Sequence, residues 1–277
     1  MSGFLRPEHF AGKTVFITAG ASGMGRCFAT RCAEHGANVV IADIDADGAR
    51  ATAASLPSAI GIGCDVRASD QIEAARNEAR HRFGEVDLVM SHAGITLPGP
   101  LTSFTDTDWT TILDLNVIGM ARMLRAFAPD MMARGSGHFI LTSSSLALIA
   151  GHPLSALAAP YIASKAAVIG LAQSAAIALA PHGVGVTLFS PDLTDTNFAK
   201  PPKSPQGAPR PTANLVQTAR QTPEQAVDAL FQALENGRFL ASATPDFLRA
   251  LEQQAKAGLD PLQLADLYAA PTSASIP

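Results

Sequence analysis

The sequence predicts an α/β fold, a parallel sheet with helices on both faces, in a single domain over residues 1–277. Short apolar runs alternate with longer helix-compatible segments, as in repeated βαβ units. The runs are residues 13–18, 38–43, 59–64, 86–91, 138–143 and 183–189, and the helical segments are 23–36, 69–83, 106–134 and 158–181. Each run is apolar throughout, which is typical of strands covered on both sides. Because composition does not change before residue 199, we count one domain.

Composition excludes several classes of protein. Hydrophobic residues make up 47% of the chain, charged residues 16%, and the net charge is -4, so we expect no nucleic-acid partner. The first ten residues lack the apolar run of a signal peptide, and no uninterrupted apolar stretch reaches the roughly 18 residues that span a bilayer. We therefore expect a cytoplasmic protein without membrane contact. Cys27, Cys32 and Cys64 match neither a metal spacing nor a disulfide framework.

The first strand leads into a glycine-rich turn, TAGASGMG at residues 18–25, and a helix begins near Gly23. Such a turn lets a pyrophosphate approach backbone N–H groups at the positive end of a helix dipole. The second strand ends in Asp43, 18 residues beyond Gly25, where a carboxylate can bind the hydroxyls of an adenosine ribose. Together these features predict a Rossmann-type, doubly wound sheet that binds a dinucleotide.

The helix at 158–181 opens with Pro160 and carries Tyr161 and Lys165 four positions apart. Residues i and i+4 lie on the same face of a helix, so both side chains can enter one cleft. A free phenol has a pKa near 10, and a neighbouring cation can lower it by about two units. The pair therefore predicts a tyrosine that transfers protons, with its pKa lowered by the lysine.

The last part of the chain is a loop, a helix and a tail. Residues 199–212 carry five prolines, so we expect a flexible substrate loop over 194–222. Thr222, Pro223 and Gln225 form a capping-box pattern for a helix that ends near Gly237. Residues 258–277 are expected to be a weakly ordered C-terminal tail.

Jointly these motifs resemble the short-chain dehydrogenase/reductase family, over residues 11 to 256. The resemblance implies that Tyr161 moves the proton and that Ser144 steadies the reacting oxygen, with Ser143 and Ser145 as alternatives. It further implies that Lys165 binds the nicotinamide ribose, that Asn116 supports a water chain to the lysine, and that hydride passes directly, without a metal. The implied cofactor-binding residues are Thr18, Gly20, Ser22, Gly23, Met24, Gly25, Asp43, Asp65, Val66, His92, Ala93, Gly94, Tyr161, Lys165, Pro191, Leu193 and Thr196.

The chain departs from the family pattern at three places in the cleft. Ala19 stands in the first glycine position of the turn. His92 stands where the family has an asparagine, and either replaces its turn-stabilising hydrogen bond or titrates near the ribose. Asp192 follows Pro191 where the family has a glycine, and is either an Asx-turn residue or a group that faces the substrate.

The expected substrate pocket is mostly apolar. Its walls are residues 95–101, 146–157 and 193–198, and we predict substrate contacts for Ser144, His152, Leu154 and Asp192. A hydrophobic secondary alcohol or ketone fits best, and the C-terminal part resembles bacterial dehydrogenases of aryl secondary alcohols. Two alternatives stay open: a reductase of a small polar or acidic carbonyl compound, steered by Lys200, Lys203 and Arg210, and a catalytically silent NAD-binding sensor.

The residues beside Asp43 predict the choice of dinucleotide. They are Ala42, Ile44 and Asp45, with no basic side chain among them to receive the extra phosphate of NADP, so we expect NAD. We also expect a homodimer or homotetramer, because the small-residue helix 162–180 and an apolar face of helix 106–134 (Ile112, Leu113, Val117, Met120 and Leu124) are suited to subunit contacts.

Overall fold

A computed structural model describes residues 9–149, 153–196, 221–244 and 247–262. Its centre is a parallel seven-stranded sheet in the order β3-β2-β1-β4-β5-β6-β7. The strands are β1 (Thr14–Thr18), β2 (Asn38–Asp43), β3 (Ala59–Gly63), β4 (Leu88–Ser91), β5 (Gly137–Thr142), β6 (Val184–Phe189) and β7 (Leu240–Ala241). The six predicted strands and the doubly wound α/β fold are confirmed. The sequence analysis missed β7, which has two residues and therefore no detectable periodicity.

The helices cover both faces of this sheet. They are α1 (Gly23–Glu34), α2 (Ala46–Ala54), α3 (Ser69–Phe83), α4 (Asp106–Leu113), α5 (Gly119–Arg134), α6 (Ser145–Leu148), α7 (Ala159–Leu179), α8 (Pro223–Glu235) and α9 (Phe247–Lys256). The predicted capping box at the start of α8 is present. The single helix predicted over 106–134 is wrong in one respect, because a π-helical segment, Asp114–Ile118, separates α4 from α5.

Two buried clusters explain why the strands are apolar throughout. Phe16 and Phe139 point into the cluster under α3, α5 and α7, whereas their neighbours Ile17 and Ile140 point into the cluster under α1 and α8. Successive side chains of a strand alternate between the faces of a sheet, so both faces need apolar residues. The predicted bounds 1–277, the loop over 194–222 and the tail over 258–277 stay predictions, because residues 197–220 and 263–277 lie outside the described residues.

The strand order indicates where on the sheet a ligand-binding cleft is expected. The chain builds β1, β2 and β3 outward on one side and then returns to place β4 on the other side of β1. Ligands of open α/β sheets bind outside the carboxyl ends of the strands at such a switch point. The loops after β1 and β4 diverge there, and those after β5 and β6 extend the same edge.

Helix α7 has a length and composition that the sequence analysis did not single out. Ala159–His182 is long and apolar enough to cross a membrane by these two criteria alone, with a mean hydropathy of 1.6 over a window of which 33% is buried. Val168, Ala172 and Leu179 pack into the core. Its apolar character on this side is therefore explained by contact with the sheet.

Candidate active site

A cleft of about 380 Å³ opens at the predicted edge of the sheet. The predicted site residues that line it are Ser22, Gly23, Met24, Asp43, Asp65, Val66, His92, Ala93, Gly94, Ser144, Leu154, Tyr161, Lys165, Pro191, Asp192, Leu193 and Thr196. Thr18, Gly20, Gly25 and Asn116 are not among the lining residues, and His152 lies outside the described residues. Residues more than 170 positions apart in the chain thus meet in one cavity.

The glycine-rich turn is built around a strained alanine. Ala19 has a φ of 55°, in the left-handed region that costs a non-glycine residue about 1 kcal/mol or more. A Cβ on Gly25 would lie 2.3 Å from the carbonyl oxygen of Ala19, and one on Gly20 would lie 2.9 Å from the Ile41 side chain. Gly20 and Gly25 are thus required by packing behind the cleft, and Ser22 and Gly23 bring the start of α1 to its wall.

The acidic residue at the end of β2 is held against this turn. Asp43 accepts hydrogen bonds from the backbone N–H groups of Ala21, at 3.1 Å, and Asp45, at 3.0 Å. At the end of β3, Arg67 Nη2 lies 2.6 Å from Asp65 Oδ2, and this hydrogen bond holds the pKa of Asp65 below its ordinary value. The nearby guanidinium of Arg67 is therefore engaged by Asp65.

Thr18 fixes the turn after β4 and does not face the cleft. Its hydroxyl oxygen accepts the backbone N–H groups of His92, at 2.8 Å, and Ala93, at 3.0 Å. The imidazole Nδ1 of His92 lies 3.1 Å from Thr142 Oγ1. Burial, and then the charge of Lys165, lowers the pKa of His92 to about 3. His92 is therefore neutral near pH 7, which favours the hydrogen-bonding interpretation over a titrating one.

Lys165 and Tyr161 enter the cleft from the first turns of α7. Lys165 Nζ donates a hydrogen bond to the carbonyl oxygen of Thr142 at 2.8 Å and lies 5.7 Å from the centroid of the Tyr161 ring. Burial lowers the pKa of Lys165 to about 7 and raises the pKa of Tyr161 to about 12, while a hydrogen bond from Ser144 acts in the opposite sense on Tyr161.

The predicted lowering of the tyrosine pKa is wrong for this structure. The prediction assumed a fully charged lysine in a partly solvated site. In the structure Lys165 is buried and Tyr161 is half-buried in the cleft wall, and desolvation disfavours the charged form of each. Near pH 7 Tyr161 is a protonated phenol, and Lys165 is divided between its two protonation states.

The three consecutive serines after β5 have different partners. Ser143 Oγ donates to the backbone carbonyl oxygen of Lys165 at 2.8 Å, and Ser145 Oγ donates to Asp192 Oδ1 at 3.2 Å. Ser144 is the serine that shares a hydrogen bond with Tyr161. The geometry therefore favours Ser144 over Ser143 and Ser145 as the neighbour of the phenol.

Asn116 is buried in the π-helical segment and clamps the cleft loop to α7. Its Oδ1 accepts the backbone N–H of Ile95 at 2.8 Å, and its Nδ2 donates to the Ile95 carbonyl oxygen at 3.0 Å and to Ser164 Oγ at 2.9 Å. A Cβ on Gly94 would lie 3.2 Å from Asn116 Oδ1 and 3.3 Å from Lys165 Nζ. Asn116 thus positions the loop that packs against the lysine.

Asp192 has both properties that the sequence analysis weighed. Its Oδ1 accepts the backbone N–H of Leu193 at 2.8 Å, and its carbonyl oxygen accepts the Thr194 hydroxyl at 2.8 Å, as in turns. The same side chain lines the cleft together with Ser144 and Leu154. Thr196 approaches the start of α1, since a Cβ on Gly23 would lie 3.3 Å from its Cγ2.

Sequence reasoning missed several residues of the cleft wall. Ile44, Cys64, Leu115 and Thr142 also line it, together with Ala19, which the sequence analysis had placed in the turn. Thr142 is the last residue of β5, and the rule that ligands bind at the carboxyl ends of strands could have identified it. Within the described part of the chain, no group of three or more His, Cys, Asp or Glu side chains is arranged to hold a metal ion.

Fold and site together define an oxidoreductase of the dinucleotide-binding α/β class. A family model described as short chain dehydrogenase matches residues 13–207. A sorbitol dehydrogenase of Cereibacter sphaeroides is 38% identical over 185 residues, which cover 66% of this chain and 71% of that protein. A mitochondrial borneol dehydrogenase of Lavandula x intermedia is 32% identical over 234 residues, which cover 83% and 86%.

The solved structures include a similar member of the same class. A short-chain dehydrogenase/reductase from Burkholderia phymatum in complex with NAD has a TM-score of 0.82 and 26% identity, with 96% of this chain and 99% of that chain covered. The chain belongs to the short-chain dehydrogenase/reductase family. The resemblance stated from the motifs is thereby confirmed.

Proposed function

We propose that this protein is an NAD-dependent oxidoreductase that transfers hydride between nicotinamide and a hydrophobic, aryl-containing secondary alcohol or ketone. The observation that carries the proposal is the meeting of Ser144, Tyr161 and Lys165 in the cleft that the glycine-rich turn opens. Bound nicotinamide supplies the hydride acceptor or donor. The residues present fit a dinucleotide, because Asp43, the start of α1 and Lys165 all line this one cleft.

Tyr161 is the proton-transfer group in this proposal. In ketone reduction its phenol O–H donates a proton to the carbonyl oxygen, which suits a phenol that is protonated near pH 7. In alcohol oxidation the deprotonated form of Tyr161, a phenolate, receives the hydroxyl proton, so activity should increase with pH. Ser144 can donate to the same substrate oxygen, and Lys165 can donate to ribose hydroxyls while it keeps its bond to Thr142.

The experiment that tests the proposal is the substitution of Tyr161. We expect Tyr161→Phe to retain NAD binding, measured by thermal shift, and to lose nearly all turnover, because phenylalanine has no transferable proton. Tyr268→Phe changes the only other tyrosine of the chain and is the matched control. Turnover of Tyr161→Phe within about tenfold of wild type, about 1.4 kcal/mol in barrier, would contradict the assignment.

The proposed preference for NAD over NADP rests on Asp43. The extra phosphate of NADP would meet this carboxylate, and one pair of unit charges at about 4 Å costs about 4 kcal/mol at an effective dielectric constant near 20. Arg67, two positions beyond the cleft residue Asp65, is already bonded to that carboxylate. We expect a larger thermal shift with NAD than with NADP at equal concentration, and a reduced difference in Asp43→Ser. Equal shifts in the wild type would show that Asp43 does not face the ribose.

The substrate class is supported by the apolar walls of the cleft, which include Ile95, Leu146, Leu154 and Leu157. The two named relatives differ in the polarity of the alcohol in their names, since borneol is an apolar secondary alcohol and sorbitol is a polyol. A panel of aryl and alkyl secondary alcohols, with sorbitol and borneol included, tests it. A reductase of small polar or acidic carbonyl compounds is the alternative, and its cations Lys200, Lys203 and Arg210 lie outside the described residues.

We also propose that the protein is a homodimer or homotetramer. On α7 the outward residue Ile177 is 77% exposed, and Ile118, between α4 and α5, is 47% exposed. Ile112 and Met120, which the sequence analysis assigned to the contact face, are buried in the core, so that part of the prediction is wrong. Light scattering that shows only a 28.7 kDa species at micromolar concentration would refute the oligomer.

A further inference from the structure

Only one of the two carboxylate oxygens of Asp192 has hydrogen-bond donors among the described residues. Its Oδ1 accepts hydrogen bonds from Ser145 Oγ at 3.2 Å and from the backbone N–H of Leu193 at 2.8 Å. Its Oδ2 is excluded from solvent and has no hydrogen-bond partner within the part of the chain that the structure describes. Leaving a buried carboxylate oxygen without a donor is costly, and proteins normally provide one from a side chain, a water or a ligand.

Hydrogen bonds tie this carboxylate and its backbone to the residue that follows Ser144. Ser145, its hydrogen-bond donor, directly follows Ser144, which shares a hydrogen bond with Tyr161. The backbone N–H of Ser145 also donates to the carbonyl oxygen of Pro191 at 3.0 Å. Asp192, Ser144 and Tyr161 all line the same cleft.

The backbone around Asp192 is held from the other side as well. Gln221 Nε2 donates to the Asp192 carbonyl oxygen at 3.3 Å and to Thr194 Oγ1 at 2.8 Å. The cleft wall nearby is apolar, with Leu146 and Leu154 among its residues. A positioned acceptor among apolar side chains is the arrangement that orients a ligand and selects it by one polar group.

We propose that Asp192 is a specificity-determining residue that accepts a hydrogen bond from a second donor on the substrate, a hydroxyl or an ammonium group on the carbon next to the carbinol carbon. The inference rests on the proposed function and narrows it, and it requires the Asp192 side chain to turn its Oδ2 toward the cleft when the substrate binds. The substrate class is then an amphipathic vicinal diol or amino alcohol with an apolar, aryl side. A site built to bind a polar group rejects the analogue that lacks it, because its own buried group is left unpaired.

Three alcohols with the same aryl ring test this inference: α-methylbenzyl alcohol, styrene glycol and phenylethanolamine. They carry no second donor, a hydroxyl and an ammonium group, respectively. We expect wild-type kcat/KM to be at least about tenfold higher for the last two, because only they complete the hydrogen bonding of Asp192. Equal values for the three alcohols would overturn the inference and leave the proposed function standing.

The variant Asp192→Asn keeps the oxygen that Ser145 and Leu193 contact and removes the charge. We expect its kcat/KM to fall most for phenylethanolamine, by about a hundredfold, less for styrene glycol, and by less than about twofold for α-methylbenzyl alcohol. Asp47→Asn, at an aspartate whose side chain is 96% exposed on α2, is the matched control and should change none of the three.

The remaining outcomes distinguish failure of the Asp192 role from failure of the proposed function. Equal losses for the three alcohols, or a change confined to KM for NAD, would show that Asp192 has a structural or cofactor role and would overturn the inference. If Asp192→Asn does not fold, the wild-type ratios decide. If the wild type oxidises none of these alcohols and none of the wider panel, the proposed function fails, and the inference fails with it.

Discussion

Replacing the buried lysine of the cleft by methionine should stabilise the protein while it inactivates the enzyme. Lys165 is 2% exposed, and burial lowers its pKa from 10.5 to about 7. The unfolded chain holds the proton across this range, whereas the folded chain progressively releases it. Folding therefore carries the cost of desolvating an ammonium group, which the similarly shaped methionine does not have.

The magnitude follows from the two pKa values. Proton linkage between about 10.5 and about 7 gives a cost of about 4 kcal/mol at pH 7. Methionine also leaves the Thr142 carbonyl oxygen without the donor that Lys165 provides at 2.8 Å, a loss of about 2 kcal/mol. We expect Lys165→Met to raise the free energy of unfolding by about 2 kcal/mol at pH 7.

The sign of this effect should change with pH. Between pH 7 and pH 10.5 the unfolded state binds more protons than the folded state at this site, so wild-type stability rises with pH. By about pH 9.5 the cost has fallen to about 1 kcal/mol, and the variant should then be the less stable protein. Urea unfolding at three pH values and equal protein concentration measures this, with the exposed Lys256→Met as control. A variant that is less stable at pH 7, or a difference independent of pH, would refute the reasoning.

Three further changes have defined outcomes. Ala19→Gly should raise the free energy of unfolding by about 1 kcal/mol, seen as a higher thermal midpoint, because glycine adopts the φ of 55° without strain; an unchanged midpoint would contradict this. Gly94→Ala should lower turnover at least about tenfold while urea stability falls little, because the new Cβ approaches Asn116 and the Lys165 ammonium group; wild-type turnover would show that the contact is yielding. The pKa of the buried His138 is lowered to about 3, so the unfolded state alone takes up its proton as pH falls below 6.5. Acidification from pH 7 to pH 4.5 should therefore cost about 2–3 kcal/mol at this residue, and His138→Gln should flatten the urea–pH profile.

The fold was predictable because its strands obey one rule throughout. Phe16 and Ile17 face opposite buried clusters, so a continuous apolar run was the correct signal for a covered parallel strand. Helix α2 was missed because ADGARATAA mixes glycine with small and charged residues and has little apolar contrast. The π-helical break at Asp114–Ile118 depends on how Asn116 is bonded to Ile95 and Ser164, a tertiary contact that no local pattern reports.

The sequence predicted which residues form the site, but it did not predict the direction in which the pKa of Tyr161 is shifted. The i, i+4 spacing of Tyr161 and Lys165 required both to share a face, and they do. The direction of the tyrosine pKa depends on how completely each side chain leaves water, which is a property of the folded chain. The choice among Ser143, Ser144 and Ser145 likewise required the structure. All three carry the same hydroxyl group, and only their hydrogen-bond partners distinguish them.

The places where this chain contradicts local rules coincide with its cleft. A non-glycine residue in the left-handed region, a lysine removed from water and a carboxylate oxygen with no donor among the described residues each cost stability. Ala19, Lys165 and Asp192 all line the same cavity, whereas the apolar core follows its pattern closely. Costs that local structure does not require are expected where a ligand supplies the missing partner. We therefore expect the dinucleotide and the proposed substrate to complete the hydrogen bonding of the cleft, and the protein with both bound should be more stable than the free protein.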